Sequence, residues 1–138
     1  MTKAAEPIAA RIDMVGIVVA DMATALEFYR TLGLTVPAVA DSEPHVEVAL
    51  PGGLRLAFDT EATIGSFHPG WRPPMGSGRV TLAFALPDPA AVDRAYAELT
   101  GAGHHGELAP FDAFWGQRYA IVHDPDGNTV DLFAPLTA

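Results

Sequence analysis

The chain has 138 residues, 49% of them hydrophobic and 18% charged, a length and balance that fit one folded domain and exclude a disordered or fibrous chain. With no cysteine it has no disulfide framework, no thiolate metal site and no cysteine nucleophile. Eight Lys and Arg against 17 Asp and Glu give a formal charge of −9, the wrong sign for gripping phosphate backbones, so no nucleic-acid partner is expected.

The segment Met1 to Arg11 carries Lys3, Glu6 and Arg11 among alanines, without the continuous apolar stretch and cleavage site of a signal peptide. No apolar run approaches the roughly 20 residues that span a bilayer, so a cytoplasmic protein with no membrane contact is expected. Ile12 to Val19 is a β-branched block of strand length. Asp21 stands at an N-cap position, Ala25, Tyr29 and Leu32 recur at i, i+4, i+7 over Met22 to Leu32, and Gly33 stops the helix. Thr35 to Val39 has room for a further strand. His45 to Leu50 and Leu54 to Asp59 then flank Pro51-Gly52-Gly53 as a β-hairpin.

Glu61 to Gly78 is dense in glycine and proline and reads as a loop. Its Phe67 and Trp71 favour an ordered flap, because a free tether is aromatic-poor. Val80 to Leu86 is again strand-like, with Asp88 as N-cap and Pro89 at the first helical position. Val92, Tyr96 and Leu99 repeat Ala25, Tyr29 and Leu32 at an offset of 67 positions, and Gly101 and Gly103 close this second helix. Glu107 to Phe111, Arg118 to His123 and Thr129 to Phe133 are the remaining strands, the last two joined by Asp124-Pro125-Asp126-Gly127-Asn128, whose Asp-Gly pair is a strong turn signal. The pattern is β-α-β-β-β used twice. One domain over 1–138 therefore holds a first module at about 11–60, an aromatic connection at 61–78 and a second module at about 79–135.

Two segments carry a family resemblance. They are Val15-Gly16-Ile17-Val18-Val19-Ala20-Asp21 leading to Phe28-Tyr29-Arg30-Thr31-Leu32-Gly33-Leu34, and Asp124 to Asn128 leading to Val130-Asp131-Leu132-Phe133. On them the chain resembles the vicinal oxygen chelate superfamily, which includes glyoxalase I, extradiol dioxygenases and bleomycin and fosfomycin resistance proteins. The resemblance implies an α+β fold: two tandem βαβββ modules form a curved sheet around a cavity, with helices on the outer face. It also implies a homodimer, because members commonly complete the cavity from two subunits.

The resemblance further implies where a divalent metal would be held, one position in the first and one in the last strand of each module. In this chain those positions are Met14, Ala57, Thr81 and Asp131. Only Asp131 is a good ligand, and a catalytic site needs about three nitrogen, sulfur or charged oxygen donors, so no cofactor and no divalent metal are expected there. A relocated site would draw on His45 and Glu47, which share a strand face, or on His123. His104 and His105 read as a surface turn in a glycine-rich loop.

Asp131 is a candidate general base, or else a carboxylate satisfied by neighbouring hydroxyls or by Arg118. Phe111, Phe114, Trp115 and Tyr119 fall within one short stretch, and aromatic faces stack on planar ligands and cations. Trp71, Phe114, Trp115 and Asp131 are thus the candidate binding residues, with Phe58, Phe84 and Tyr119 as lesser ones and Arg118 as a partner of Asp112, Asp131 or a ligand carboxylate. The favoured expectation is metal-independent binding or sequestration of a small aromatic or cationic molecule, as in antibiotic-resistance proteins of the superfamily. The alternatives are a lyase, isomerase or dioxygenase with a non-standard metal site or Asp131 as base, and a non-catalytic partner-binding protein.

Overall fold

The computed structural model describes residues 6–76 and 78–137. The reading of Met1 to Arg11 falls partly on residues 1–5, outside the described residues. The first module consists of β1 (Met14–Val19), α1 (Met22–Thr31), β2 (His45–Ala49) and β3 (Arg55–Thr60). After α2 (Glu61–Phe67) the second comprises β4 (Leu82–Ala85), α3 (Pro89–Gly101), β5 (Gly106–Asp112), β6 (Gln117–His123) and β7 (Thr129–Pro135). Two sheets result. In the first, β3 is central, parallel to β1 and antiparallel to β2, and in the second the order is β4-β7-β6-β5 with β4 parallel to β7.

Local chemistry sets these elements as the spacing predicts. Asp21 caps α1 by accepting from the Thr24 amide at 3.0 Å, and Asp88 caps α3 by accepting from the Ala91 amide at 2.8 Å, with Pro89 at the helix start. The repeated positions Ala25, Tyr29, Val92 and Leu99 are buried, with Leu32 and Tyr96 packed partly buried against the same core. In β7 the alternation puts Val130, Leu132 and Ala134 wholly inside, on the side where α3 crosses the sheet, and leaves Thr129, Asp131 and Phe133 on the opposite face.

Three expectations are corrected. No strand forms at Thr35 to Val39: the Arg30 guanidinium donates to the Val36 and Pro37 carbonyls, both at 2.9 Å, and pairs with Asp41 at 2.8 Å. Those carbonyls are the groups a strand would need, and the chain instead makes a 3-10 turn over Ala38–Ser42. The connection is not all loop, because Thr60 caps α2 by accepting from the Thr63 amide at 3.2 Å and Glu61 sits in its first turn. Both module-opening strands also begin two residues later than predicted, leaving Ile12 and Val80 exposed.

The modules meet around Tyr29, whose ring lies 5.0 Å from Phe28, 5.3 Å from Phe58 and 6.2 Å from Phe84. Its phenol donates at 2.7 Å to Asp124 of the second module, and Asp126 accepts from the Ala20 amide of the first at 2.9 Å. Burial, reinforced by Asp124, pushes the Tyr29 phenol well above the usual tyrosine range. Tyr29→Phe should therefore lower unfolding free energy in urea by about 1–3 kcal/mol, the cost of leaving a buried acceptor short of a donor. The sign with pH follows. The native phenol stays protonated where the unfolded one ionises near pH 10, so Tyr29 makes wild-type stability fall above that pH, and the fall should be shallower in Tyr29→Phe.

Candidate functional site

A cavity of about 300 Å³ opens between the first strands of the two modules, in the size range of small-molecule sites. Val15 to Val18 of β1 form one wall, and Val80, Thr81 and Leu82 at the start of β4 the other. Trp71, Pro73 and Pro74 from the connection cover it, and Glu61, Asp126 and Asn128 bring polar groups.

The polar end is built by the turn after β6. Gly127, at φ +84°, lets the chain reverse, while Asp124 accepts from the amides of Asp126 and Asn128 at 2.9 Å and from the Asn128 side chain at 2.8 Å. That holds Asp126 against the first module. One Asp126 oxygen takes the Ala20 amide, and the other, Oδ2, is buried with no hydrogen-bond partner among the described residues. Burial raises the Asp126 carboxyl above the usual carboxylate range, against the lowering effect of the Ala20 amide, and Asp124, Glu61 and Asp21 add to the rise.

Of the predicted binding residues, Trp71 lines this cavity. Asp131 sits one step behind it, 8% exposed, accepting from the Thr81 hydroxyl at 3.0 Å and from the Tyr119 phenol. Thr81 itself lines the cavity, and its one hydroxyl proton is shared between Asp131 and the Thr129 carbonyl at 2.8 Å. Burial and then Asp131 push the Tyr119 phenol up to about 12.

The other candidates lie elsewhere. Phe58 is wholly inside the core and offers no face to a ligand, and Phe84 packs partly buried against the same core. Arg118 pairs with Asp93 and Asp112, each at 3.0 Å, rather than with Asp131. Phe111, Phe114, Trp115, Tyr119 and Phe133 form an aromatic ladder of edge-on and stacked neighbours with centroids 5.0–6.4 Å apart. The hairpin between β5 and β6, turned at Gly116 with φ +92°, carries Phe114 and Trp115 at one end of β6, whereas the cavity turn follows its other end. Seven residues of strand separate them, about 20 Å at ~3.4 Å per residue. Asp126, Glu61 and Asn128 were not among the predicted site residues. The Asp-Gly pair signals only a turn, and that Asp126 faces the other module is a fact of tertiary packing.

A family model described as "Glyoxalase/Bleomycin resistance protein/Dioxygenase superfamily" matches residues 11–132. The chain belongs to this superfamily. Its fold is similar to that of a glyoxalase/bleomycin resistance protein/dioxygenase family enzyme from Burkholderia phytofirmans PsJN, with a TM-score of 0.76 and 19% identity over 92% of this chain and 100% of that one. A glyoxalase/bleomycin resistance protein/dioxygenase from Nocardioides is similar at 26% identity and a TM-score of 0.69, over 96% of this chain and 88% of that one. A glyoxalase/dioxygenase from Nostoc punctiforme follows at 22% identity and a TM-score of 0.67, over 96% and 99%. A search of curated proteins found no match. Among the described residues no helix is long and apolar enough to cross a membrane.

The four superfamily metal positions do not fit a divalent ion in this chain. Ala57 has no donor and is fully buried opposite Gly16, and Met14 offers an exposed thioether at the sheet's end. Thr81 and Asp131 are already bonded to each other, and the second Asp131 oxygen is taken by Tyr119. The relocated set does not assemble either. His45 sits between Asp59 at 2.6 Å and Glu47 at 2.8 Å in the first sheet, and Glu47 and Asp13 each pair with Arg55 at 2.6 Å. His123 is in the second sheet, beside His105 and Glu107. His104 does not face solvent alone, since its ring packs edge-on to Phe28 at 4.9 Å.

Hydrogen bonds to Glu47 and then Asp59 raise the His45 pKa. A raised value means stability present below the unfolded histidine value of about 6.5 and lost as pH rises through the native one. Histidine NMR titration should show His45 ionising above pH ~6.5, and Glu47→Gln should lower its midpoint.

Proposed function

We propose that the protein binds a small molecule in the cavity between its modules without a metal, and that the ligand carries a cationic or N–H-donating group on a flat apolar body. The observation that carries this reading is the meeting of Trp71, Glu61 and Asp126 around one volume, with one Asp126 oxygen left without a partner among the described residues. An unsatisfied buried carboxylate oxygen is a strong acceptor for a charged donor, and an indole face beside it attracts a cation or a planar ring. The apolar walls from β1 and β4 suit the remainder of such a ligand. The superfamily's resistance proteins give the reading its biological class, sequestration of an antibiotic-like or metabolic small molecule.

Trp71→Phe should abolish the fluorescence quenching that small aromatic cations cause, and Trp115→Phe should leave it intact. Asp126→Asn should weaken binding of the cations about tenfold or more, since a hydrogen bond to a charged group is worth ~1.5–3 kcal/mol, and should leave neutral analogues little changed. Equal affinities in wild type and Asp126→Asn would remove the cavity from the binding role.

The same reading includes a homodimer. Phe114 is 96% exposed and Trp115 48% exposed at the free end of the aromatic ladder, apolar surface that a second copy would cover. Phe114→Ser with Trp115→Ser should convert a dimer to a monomer in sedimentation, and a monomeric wild type would discard this part.

A further inference from the structure

Away from the cavity, the start of β5 and the end of β6 bring His105, Glu107 and His123 together. Among the described residues this is the one group of three or more histidine and carboxylate side chains whose donor atoms all lie within 4.8 Å of one another. The backbone holds it. Gly103, at φ +101°, ends α3, and the His123 amide donates to the His105 carbonyl at 2.9 Å, which locks the two strand ends side by side. Gly106, between His105 and Glu107, is pressed against α3: a Cβ there would stand 2.2 Å from the Tyr96 hydroxyl oxygen. Strand alternation therefore turns His105 and Glu107 to the opposite side.

The donors converge. Both rings turn Nε2 toward the same carboxylate oxygen of Glu107, at 3.1 Å from His105 and 3.6 Å from His123, and the ring centroids are 4.7 Å apart. Among the described residues no Lys or Arg pairs with Glu107. Zinc–nitrogen bonds of about 2.0–2.1 Å place neighbouring tetrahedral donors about 3.3 Å apart, a spacing that these two separations straddle. Calcium and magnesium take oxygen ligands, so the two imidazoles disfavour them, whereas imidazole with one carboxylate suits zinc and its neighbours.

We propose that His105, Glu107 and His123 form a binding site for a divalent late first-row transition ion, zinc foremost, with water completing its coordination. The site is separate from the superfamily's metal positions, from the His45 network and from the Trp71 cavity. The chain's formal charge of −9 favours any cation that approaches it.

The test is titration of zinc into untagged, chelator-treated full chain against a chromophoric competitor. One ion per chain is expected, with affinity falling about tenfold or more in His105→Asn and in His123→Asn, at least the loss usual for disturbing a metal's outer shell, and unchanged in His45→Asn. Histidine NMR of the wild type should show the His105 and His123 signals moving with zinc while His45 stays in place. No stoichiometric uptake, wild-type affinity in both His105→Asn and His123→Asn, or loss of binding in His45→Asn would each overturn the proposal. Because the readout is metal affinity, failure of small-molecule binding at Trp71 leaves this result standing, and the reverse holds too.

Discussion

The buried carboxylate of Asp124 is the point on which the two modules are fastened. At 4% exposure it accepts from four donors, the amides of Asp126 and Asn128, the Asn128 side chain and the Tyr29 phenol. A buried anion without such donors would cost several kcal/mol, so the site is either fully satisfied or not formed. Three of the donors belong to its own turn and one to α1 of the other module. One group therefore sets the shape of the turn and its position against β1 together. The cavity inherits its geometry from this: Asp126, Asn128 and Thr129 face Val15 to Val18 because Asp124 holds the turn there.

Much of the fold can be read from short-range chemistry. Capping aspartates at 21 and 88, the helical triplets offset by 67 positions and the Asp-Gly turn act within a few residues of themselves, and each forms as the spacing predicts. What escapes is set across the chain. Thr35 to Val39 has a strand's composition, but Arg30 and Asp41 fold it into a turn through side-chain bonds to its carbonyls. The helix Glu61–Phe67 hides in a glycine- and proline-rich stretch, because its cap, Thr60, lies in the preceding strand.

The residues singled out from the sequence fall at different places in the fold. Aromatic density around Phe111 to Tyr119 marks real ring packing, yet density says nothing about which end of a hairpin the rings occupy. The structure gives that cluster to the β5–β6 hairpin end and leaves Trp71, a lone aromatic in the connection, to the cavity. Asp131 was singled out by its place in the superfamily pattern. Asp126 carried no comparable mark, because its importance depends on a contact with Ala20, 106 positions away in sequence.

These two carboxylates separate inherited geometry from present chemistry. In Asp131 both oxygens accept from hydroxyls, Thr81 on one side and Tyr119 on the other. Thr81 and Asp131 are thus bonded to each other at the second module's two superfamily metal positions. Asp126 has the opposite balance. One oxygen is fixed by the Ala20 amide and the other is buried without a partner among the described residues, with Glu61 and Asp124 near enough to favour whatever donor arrives. A satisfied carboxylate serves the fold, and a buried unsatisfied one is stabilised by any donor that reaches it. On that physical ground the proposed ligand is assigned to the joint between the modules rather than to the face of the second sheet.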